Sequence, residues 1–146
     1  MSSELLSPKE LRIWHAFRSM SGDVLGRVGR DLIKATGLSG AEFGVLSRLA
    51  SLGKGEMRQQ DLADCMGWDK SRLSHQLTRM QERGFIDRQR ADKHGIVVKL
   101  AEQGKKTLKA AMPIHAASVR KHLLSRLSTE QVTTMVGISN LLGDDD

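Results

Sequence analysis

The sequence predicts a mainly α-helical fold with a small β-hairpin, an α+β arrangement. Three observations predict it: two short amphipathic stretches meet at Gly67, two β-prone runs follow them, and a long helical pattern lies at each end of the chain. The chain has 146 residues, enough for one domain with a modest core. We expect a single domain over 1–146, with a compact lobe at 39–101 and helical regions at 7–37 and 102–143.

Three capping boxes mark the starts of helices. In each, a serine is followed three residues later by glutamate or glutamine, and the boxes are Ser7-Pro8-Lys9-Glu10, Ser39-Gly40-Ala41-Glu42 and Ser128-Thr129-Glu130-Gln131. The helices that follow are predicted to end at Thr36-Gly37, at Gly53-Lys54-Gly55 and at Leu142, with 143–146 frayed. The first spans roughly 30 residues, which is long for a globular helix, so its apolar face needs a partner.

A further helix is predicted from Glu102 to Leu127. Pro113 is expected to kink or interrupt it, because proline lacks the amide proton of the helical hydrogen bond. Met57 is expected to begin a short strand that pairs with the β-hairpin predicted further along the chain, at 85–100.

Residues 60–84 contain the pattern on which the functional prediction depends. They form two short helices, and Gly67 ends the first by adopting a positive φ. Asp69 or Ser71 caps the second helix. The predicted buried stripes are Leu62, Ala63 and Met66 on the first helix, and Leu73, Leu77 and Met80 on the second.

The outward face of the second helix carries only hydrogen-bonding and cationic side chains. Its candidate DNA contacts are Ser71, Arg72, Ser74, His75, Thr78 and Arg79. Such a face can enter a major groove, where serine and arginine reach base edges or phosphates. A polar face that only meets water is the alternative that the helix pair by itself leaves open.

Two β-prone runs follow the helix pair, at 85–90 and 96–100, and the turn between them has the composition Ala-Asp-Lys-His-Gly. A hairpin with a basic tip directly after a helix-turn-helix forms a winged helix-turn-helix. The candidate DNA contacts of this wing are Arg88, Arg90, Lys93 and His94, which would reach phosphates or the minor groove.

Several short motifs occur together in this region: Leu62-Ala63, Gly67, Ser71-Arg72-Leu73-Ser74, Arg83-Gly84-Phe85-Ile86-Asp87-Arg88, and the spaced set Asp92, Val98, Leu100 and Gly104. In this combination the chain resembles the MarR family of winged helix-turn-helix transcription regulators. Two positions depart from the family pattern, since His94 replaces an arginine and Ala101 a threonine. The wing is also shorter than usual, so Arg90, Lys93 or His94 would have to replace the wing-tip arginine.

The resemblance implies a homodimer in which the long terminal helices of both subunits interlock. The residues favour the same arrangement, because a core this small cannot cover both helices. Twofold symmetry would place two recognition helices about one DNA turn apart on a pseudo-palindrome. The implied function is sequence-specific transcriptional regulation, in most cases repression, with release by a small aromatic or anionic effector. The candidate effector-binding residues are Trp14, His15, Phe17, Arg18 and Phe43, although such residues at helical spacing also suit a core.

The charge composition of the chain favours DNA as its partner. The net charge is +6, and 54–109 holds thirteen Lys or Arg against eight Asp or Glu, which suits double-stranded DNA. No apolar run approaches the ~20 residues of a membrane span, and we expect no signal peptide. A single cysteine fits a reducing cytoplasm.

Other chemistries find little support in the sequence. The five histidines lack the close spacing of a zinc motif, and the chain has no glycine-rich phosphate loop or nucleophile elbow, so we expect no metal, no cofactor and no enzyme. Cys65 is expected to be a half-buried core residue; a redox switch is the alternative, which Asp61 and Asp64 disfavour by opposing a thiolate. Two other functions remain open, a low-specificity architectural DNA binder and a winged-helix protein-interaction module.

Overall fold

The computed structural model describes residues 4–143. Its helices and strands are α1 (Pro8–Thr36), α2 (Gly40–Ser51), β1 (Glu56–Arg58), α3 (Gln59–Met66), α4 (Lys70–Glu82), β2 (Ile86–Arg90), β3 (Ile96–Leu100), α5 (Glu102–His122) and α6 (Thr129–Gly143). The strands form an antiparallel sheet in the order β1-β3-β2. The predicted winged helix-turn-helix with long terminal helices is therefore confirmed.

The predicted capping boxes are all present. In each, the serine hydroxyl accepts from the backbone N–H three residues later, and that residue's side chain accepts from the serine N–H. The six hydrogen bonds measure 2.7–3.2 Å. These boxes start α1, α2 and α6 where the sequence places them, because a cap depends only on neighbouring residues.

The predicted stripes of α3 and α4 form much of the core. Leu62, Leu73, Leu77 and Met80 are fully buried, whereas Met66 is only half-buried. They pack with apolar side chains of α2 and of the sheet in one cluster. Strand β1 lies on this scaffold and pairs with β3 through Met57, as predicted.

Helix α5 differs from the prediction in two respects. It ends at His122, and a short 3₁₀ turn over Leu124–Arg126 replaces the expected last helical turn. It also runs through Pro113 without interruption, so the predicted interruption is wrong, while the alternative of a kink stays a prediction. Pro113 has no N–H to donate to the Lys109 carbonyl, four residues earlier. Both residues are exposed, so water can donate to that carbonyl instead. Of residues 143–146, which were predicted to be frayed, Gly143 is instead the last residue of α6, and 144–146 lie outside the described residues.

Gly104 lets the first turn of α5 approach the sheet closely. A Cβ at this position would lie 2.1 Å from the Phe85 carbonyl oxygen, which also accepts a hydrogen bond from the Ala101 N–H at 3.0 Å. We expect Gly104→Ala to lower the free energy of unfolding by about 1–3 kcal/mol, because the helix must move away from the backbone of Phe85. Urea unfolding followed by circular dichroism measures the change.

Gly29→Ala is the matched control for that prediction. Gly29 lies inside α1, and its added Cβ would meet no atom within 4 Å. The control should raise the free energy of unfolding by roughly 0.5–1 kcal/mol through better helix propensity. Equal effects of the two substitutions would contradict the steric explanation at Gly104.

Candidate nucleic-acid interface

The turn between α3 and α4 is fixed by backbone and capping interactions. Gly67 adopts φ 65° and ends α3, and the Trp68 N–H donates to the Ala63 carbonyl at 3.0 Å. Asp69 caps α4 by accepting from the Arg72 N–H at 2.8 Å, which decides between the two predicted caps. The start of α4 is thereby held in one orientation relative to the core.

The polar face of α4 points away from the core, as predicted. Its exposed residues are Ser71, Arg72, His75, Thr78 and Arg79, and Ser74 is half-buried. Some of these side chains already have partners within the protein. Arg79 donates to the buried Gln76 at 2.7 Å, and the Thr78 hydroxyl donates to the Ser74 carbonyl at 3.0 Å. The hydrogen-bond donors with fewer partners inside the protein therefore lie in the first two turns of α4.

Trp68 and Lys70 were missed by the sequence prediction. The Arg72 guanidinium carbon lies 3.9 Å from the centroid of the Trp68 ring, a cation–π contact. Lys70 is exposed in the first turn of α4, where it adds a cation next to Ser71. The sequence feature that could have indicated this contact is the spacing of Trp68, four positions before Arg72, at the turn between the two helices.

Arg88 is placed differently from the prediction. Its Nε donates to Gln81 Oε1 and its second terminal nitrogen to Thr78 Oγ1, both at 2.9 Å. The side chain therefore lies against α4 and holds β2 to that helix, away from the tip of the hairpin. The physical reason is proximity, because β2 begins directly after α4 and runs beside its last turns.

The wing tip carries the remaining cations. Arg90 is exposed at the end of β2, and Lys93 is exposed in a short 3₁₀ turn. The side chain of His94, the third predicted contact here, lies outside the described part of the structure. Arg90 and Lys70 border the same cleft of about 300 Å³, which separates the wing from the starts of α3 and α4. Cationic side chains thus flank α4 on its wing side.

An ion pair ties the end of α4 to the core. Arg83 pairs with Glu42, whose carboxylate is buried and whose other oxygen accepts from the Ser39 N–H at 3.0 Å. The Arg83 guanidinium also lies 4.6 Å from the Phe85 ring. Both ends of α4 are therefore anchored, so the helix is presented as a rigid element.

The predicted effector-binding residues do not come together within one chain. Trp14, His15, Phe17 and Arg18 are exposed along α1, with 6.2 Å between the rings of Trp14 and Phe17. Phe43 is buried instead, and its ring stacks on His115 at 4.2 Å. Phe17 borders a groove of about 700 Å³ between α1 and α6, and Phe43 does not line it. Helical spacing placed these residues correctly on their helices but could not show which helices meet.

Cys65 is exposed, so its predicted half-buried position is wrong. The buried positions of α3 are Leu62 and Ala63. Among residues 4–143, no three His, Cys, Asp or Glu side chains cluster as metal ligands would. The same residues contain no helix with the length and apolar character needed to cross a bilayer.

Asp31 links α1 to α5. One of its carboxylate oxygens accepts from the Ser118 hydroxyl at 2.7 Å and lies 2.9 Å from His122 Nε2. These two hydrogen bonds, with Ser118 the larger cause, hold the pKa of Asp31 below its ordinary value. A carboxyl group with a lowered pKa stabilises the folded state above its unfolded pKa, and that contribution is lost as the pH falls through the folded pKa.

We therefore expect Asp31→Asn to lower the free energy of unfolding at pH 7 and to lose this effect in acid. The difference from the unsubstituted protein should shrink as the pH falls below about 4. Urea unfolding at several pH values measures it. Asp23→Asn on the same helix is the control, since Asp23 is exposed. A difference at Asp31 that does not depend on pH would contradict the explanation.

The helix pair, the anchored polar helix and the adjoining hairpin define the class of winged helix-turn-helix DNA-binding domains. Residues 36–95 match a model of the MarR family. No curated protein is similar enough in sequence to count as a match.

Solved structures extend the similarity to nearly the whole chain. AbsC, a MarR family transcriptional regulator from Streptomyces coelicolor, is 28% identical with a TM-score of 0.84, over 98% of this chain and 100% of that one. Sco3205, a MarR family transcriptional regulator of the same organism solved in complex with DNA, is 25% identical with a TM-score of 0.89, over 97% and 91%. The organohalide-sensing regulator RdhR-CbdbA1625, bound to 2,4-dichlorophenol, shares the fold at 21% identity and a TM-score of 0.79, over 97% and 88%.

The chain is thus similar to MarR family transcriptional regulators, by the family model over residues 36–95 and by its fold over nearly the whole length. AbsC and Sco3205 are both described as regulators of transcription.

Proposed function

We propose that the protein is a homodimer that binds a specific pseudo-palindromic site in double-stranded DNA and represses transcription there. The observation that carries the proposal is the polar face of α4, exposed along its length while both ends of the helix are anchored to the core. Ser71, Arg72 and His75 would meet base edges in the major groove. The DNA complex of Sco3205 supports the same mode of binding.

The charge distribution supports DNA as the partner. Most of the net charge of +6 lies within 54–109, which contains α3, α4 and the wing. Arg90 and Lys93 are exposed on the wing and would contact phosphates. The residues 39–101 would then form the DNA-binding lobe, and 7–37 with 102–143 the dimerisation region.

The exposed apolar surface of the terminal helices supports the homodimer. Trp14 is 49% exposed and Phe17 46% on α1, and on α6 Ile138 is 50% and Leu141 79% exposed. Phe17 and Ile138 line the same groove, and grouped exposed apolar side chains of this kind usually mark an interface with another protein. A second copy of the chain would cover them and, by twofold symmetry, bring two α4 helices to successive major grooves.

A small aromatic or anionic effector would relieve repression by changing the spacing of the two recognition helices. The groove along Phe17 is the candidate entrance on this chain, with Trp14 beside it as an aromatic wall, Arg18 as a cationic neighbour and His15 as a polar one. The dichlorophenol complex of RdhR-CbdbA1625 supports an effector of this size. The single cysteine is consistent with action in the cytoplasm.

Binding to operator and to unrelated DNA across a salt series tests the proposed function. The affinity should fall steeply as salt rises, because cationic side chains release counterions from the phosphates. Unrelated competitor DNA at equal concentration should not displace the operator. Displacement would indicate a low-specificity architectural binder, and absence of binding at low salt would indicate a protein-interaction module.

A further inference from the structure

Trp68 supports the side chain of Arg72. The half-buried Trp68 packs against the hydrophobic core, and its backbone N–H is held by the Ala63 carbonyl. Its ring lies under the Arg72 guanidinium, whose central carbon is 3.9 Å from the ring centroid. The Arg72 backbone is fixed by Asp69 at 2.8 Å. Backbone and guanidinium of this arginine are thus both positioned before any ligand arrives.

The hydrogen-bonding capacity of Arg72 remains free. In the part of the chain that the structure describes, the Arg72 guanidinium has no hydrogen bond or ion pair. The arginines that follow it in α4 and at the start of the wing differ. The side chain of Arg79 donates to Gln76, that of Arg83 to Glu42 and that of Arg88 to Gln81 and Thr78. Stacking on a ring restricts the guanidinium without using its N–H groups.

We propose that Trp68 is a positioning residue that presents Arg72 for bidentate recognition of a guanine edge in the major groove. This inference rests on the proposed function. A free, planar pair of N–H donors matches the O6 and N7 acceptors of guanine, and prior ordering of the side chain lowers the entropy lost on binding. Trp68 therefore acts through Arg72 and sets sequence preference, while contributing no contact to the phosphates itself.

Sequence selection from a random DNA pool, run in parallel on several full-length variants, tests the proposal. Arg72→Ala and Trp68→Leu should both lose the same guanine from the enriched half-site. Trp68→Phe should retain it, because a phenyl ring still offers a π face to the guanidinium. His75→Ala is the comparison and should alter a different position of the half-site, leaving this guanine enriched.

Affinities measured on selected and random DNA complete the test. Trp68→Leu should lower the ratio of specific to non-specific affinity by roughly three- to tenfold, the range expected for a lost cation–π contact. Its affinity for random DNA should stay within about twofold, since the charge of Arg72 is retained. In an Arg72→Ala background, Trp68→Leu should change the ratio no further.

Equal losses on selected and random DNA, or a loss that persists in the Arg72→Ala background, would overturn the proposal and leave Trp68 as a packing residue only. Trp68→Phe guards against a folding defect, because a folded Phe variant that loses the guanine as fully as the Leu variant also contradicts it. Failure of the unsubstituted protein to bind any DNA is a separate outcome, which would overturn the proposed function together with this inference.

Discussion

Ile138→Asp is expected to convert the proposed homodimer into monomers and to weaken operator binding by about 100-fold or more. Ile138 is half exposed on α6 and borders the groove that Phe17 lines on α1. An aspartate there would bury an unpaired charge in the proposed interface. Because both subunits carry the substitution, a twofold dimer would contain two such charges. Sedimentation equilibrium measures the mass, and fluorescence anisotropy measures the operator affinity.

Asn140→Asp is the matched control for that substitution. It adds the same charge to α6 at an exposed residue that does not line the groove. The control should remain dimeric and bind the operator with nearly unchanged affinity. If Ile138→Asp also remained a dimer of full affinity, the α1–α6 surface would not be the interface.

Arg72→Ala should reduce sequence discrimination, whereas Arg90→Ala should weaken binding to every sequence alike. Arg72 lies at the start of α4 on the groove-facing side, and its loss should cost about 1–3 kcal/mol on the operator. Arg90 lies at the end of β2 and would contact a phosphate. Its removal should therefore lower the slope of log affinity against log salt concentration by about 1. Affinities on operator and random DNA at several salt concentrations separate the two effects.

Arg12→Ala on α1 is the control for both substitutions, because it removes an exposed arginine that lies far along the chain from α4 and the wing. It should leave the operator preference unchanged. Identical losses for Arg72→Ala and Arg90→Ala on operator and random DNA would show that the division between base reading and phosphate binding is wrong.

Features that depend on a few neighbouring residues were predictable from the sequence. The capping box at Ser39, the left-handed Gly67 and the buried position of Leu77 follow from cap chemistry, backbone sterics and helical period. The outward face of α4 follows from the same period, since the residues opposite a buried stripe must be exposed. These local rules were sufficient for the recognition helix.

Features that depend on which elements meet were not predictable in the same way. Cys65 was expected in the core because its size permits burial, but the packing of α3 leaves its side exposed. The hydrogen bonds from Arg88 to Gln81 and Thr78 of α4 depend on β2 lying beside that helix. Phe43 pairs with His115 across 72 positions of sequence, which no period within one helix reveals. Trp68 was overlooked because its role depends on the bend between α3 and α4.

Selection of bound sequences from a random DNA pool tests the central claim most directly. A twofold dimer with one α4 in each major groove should enrich an inverted repeat whose half-sites are about 10 bp apart. The half-site should contain a guanine that disappears with Arg72→Ala. Salt-sensitive retention of all sequences without an enriched motif would contradict specific recognition by α4.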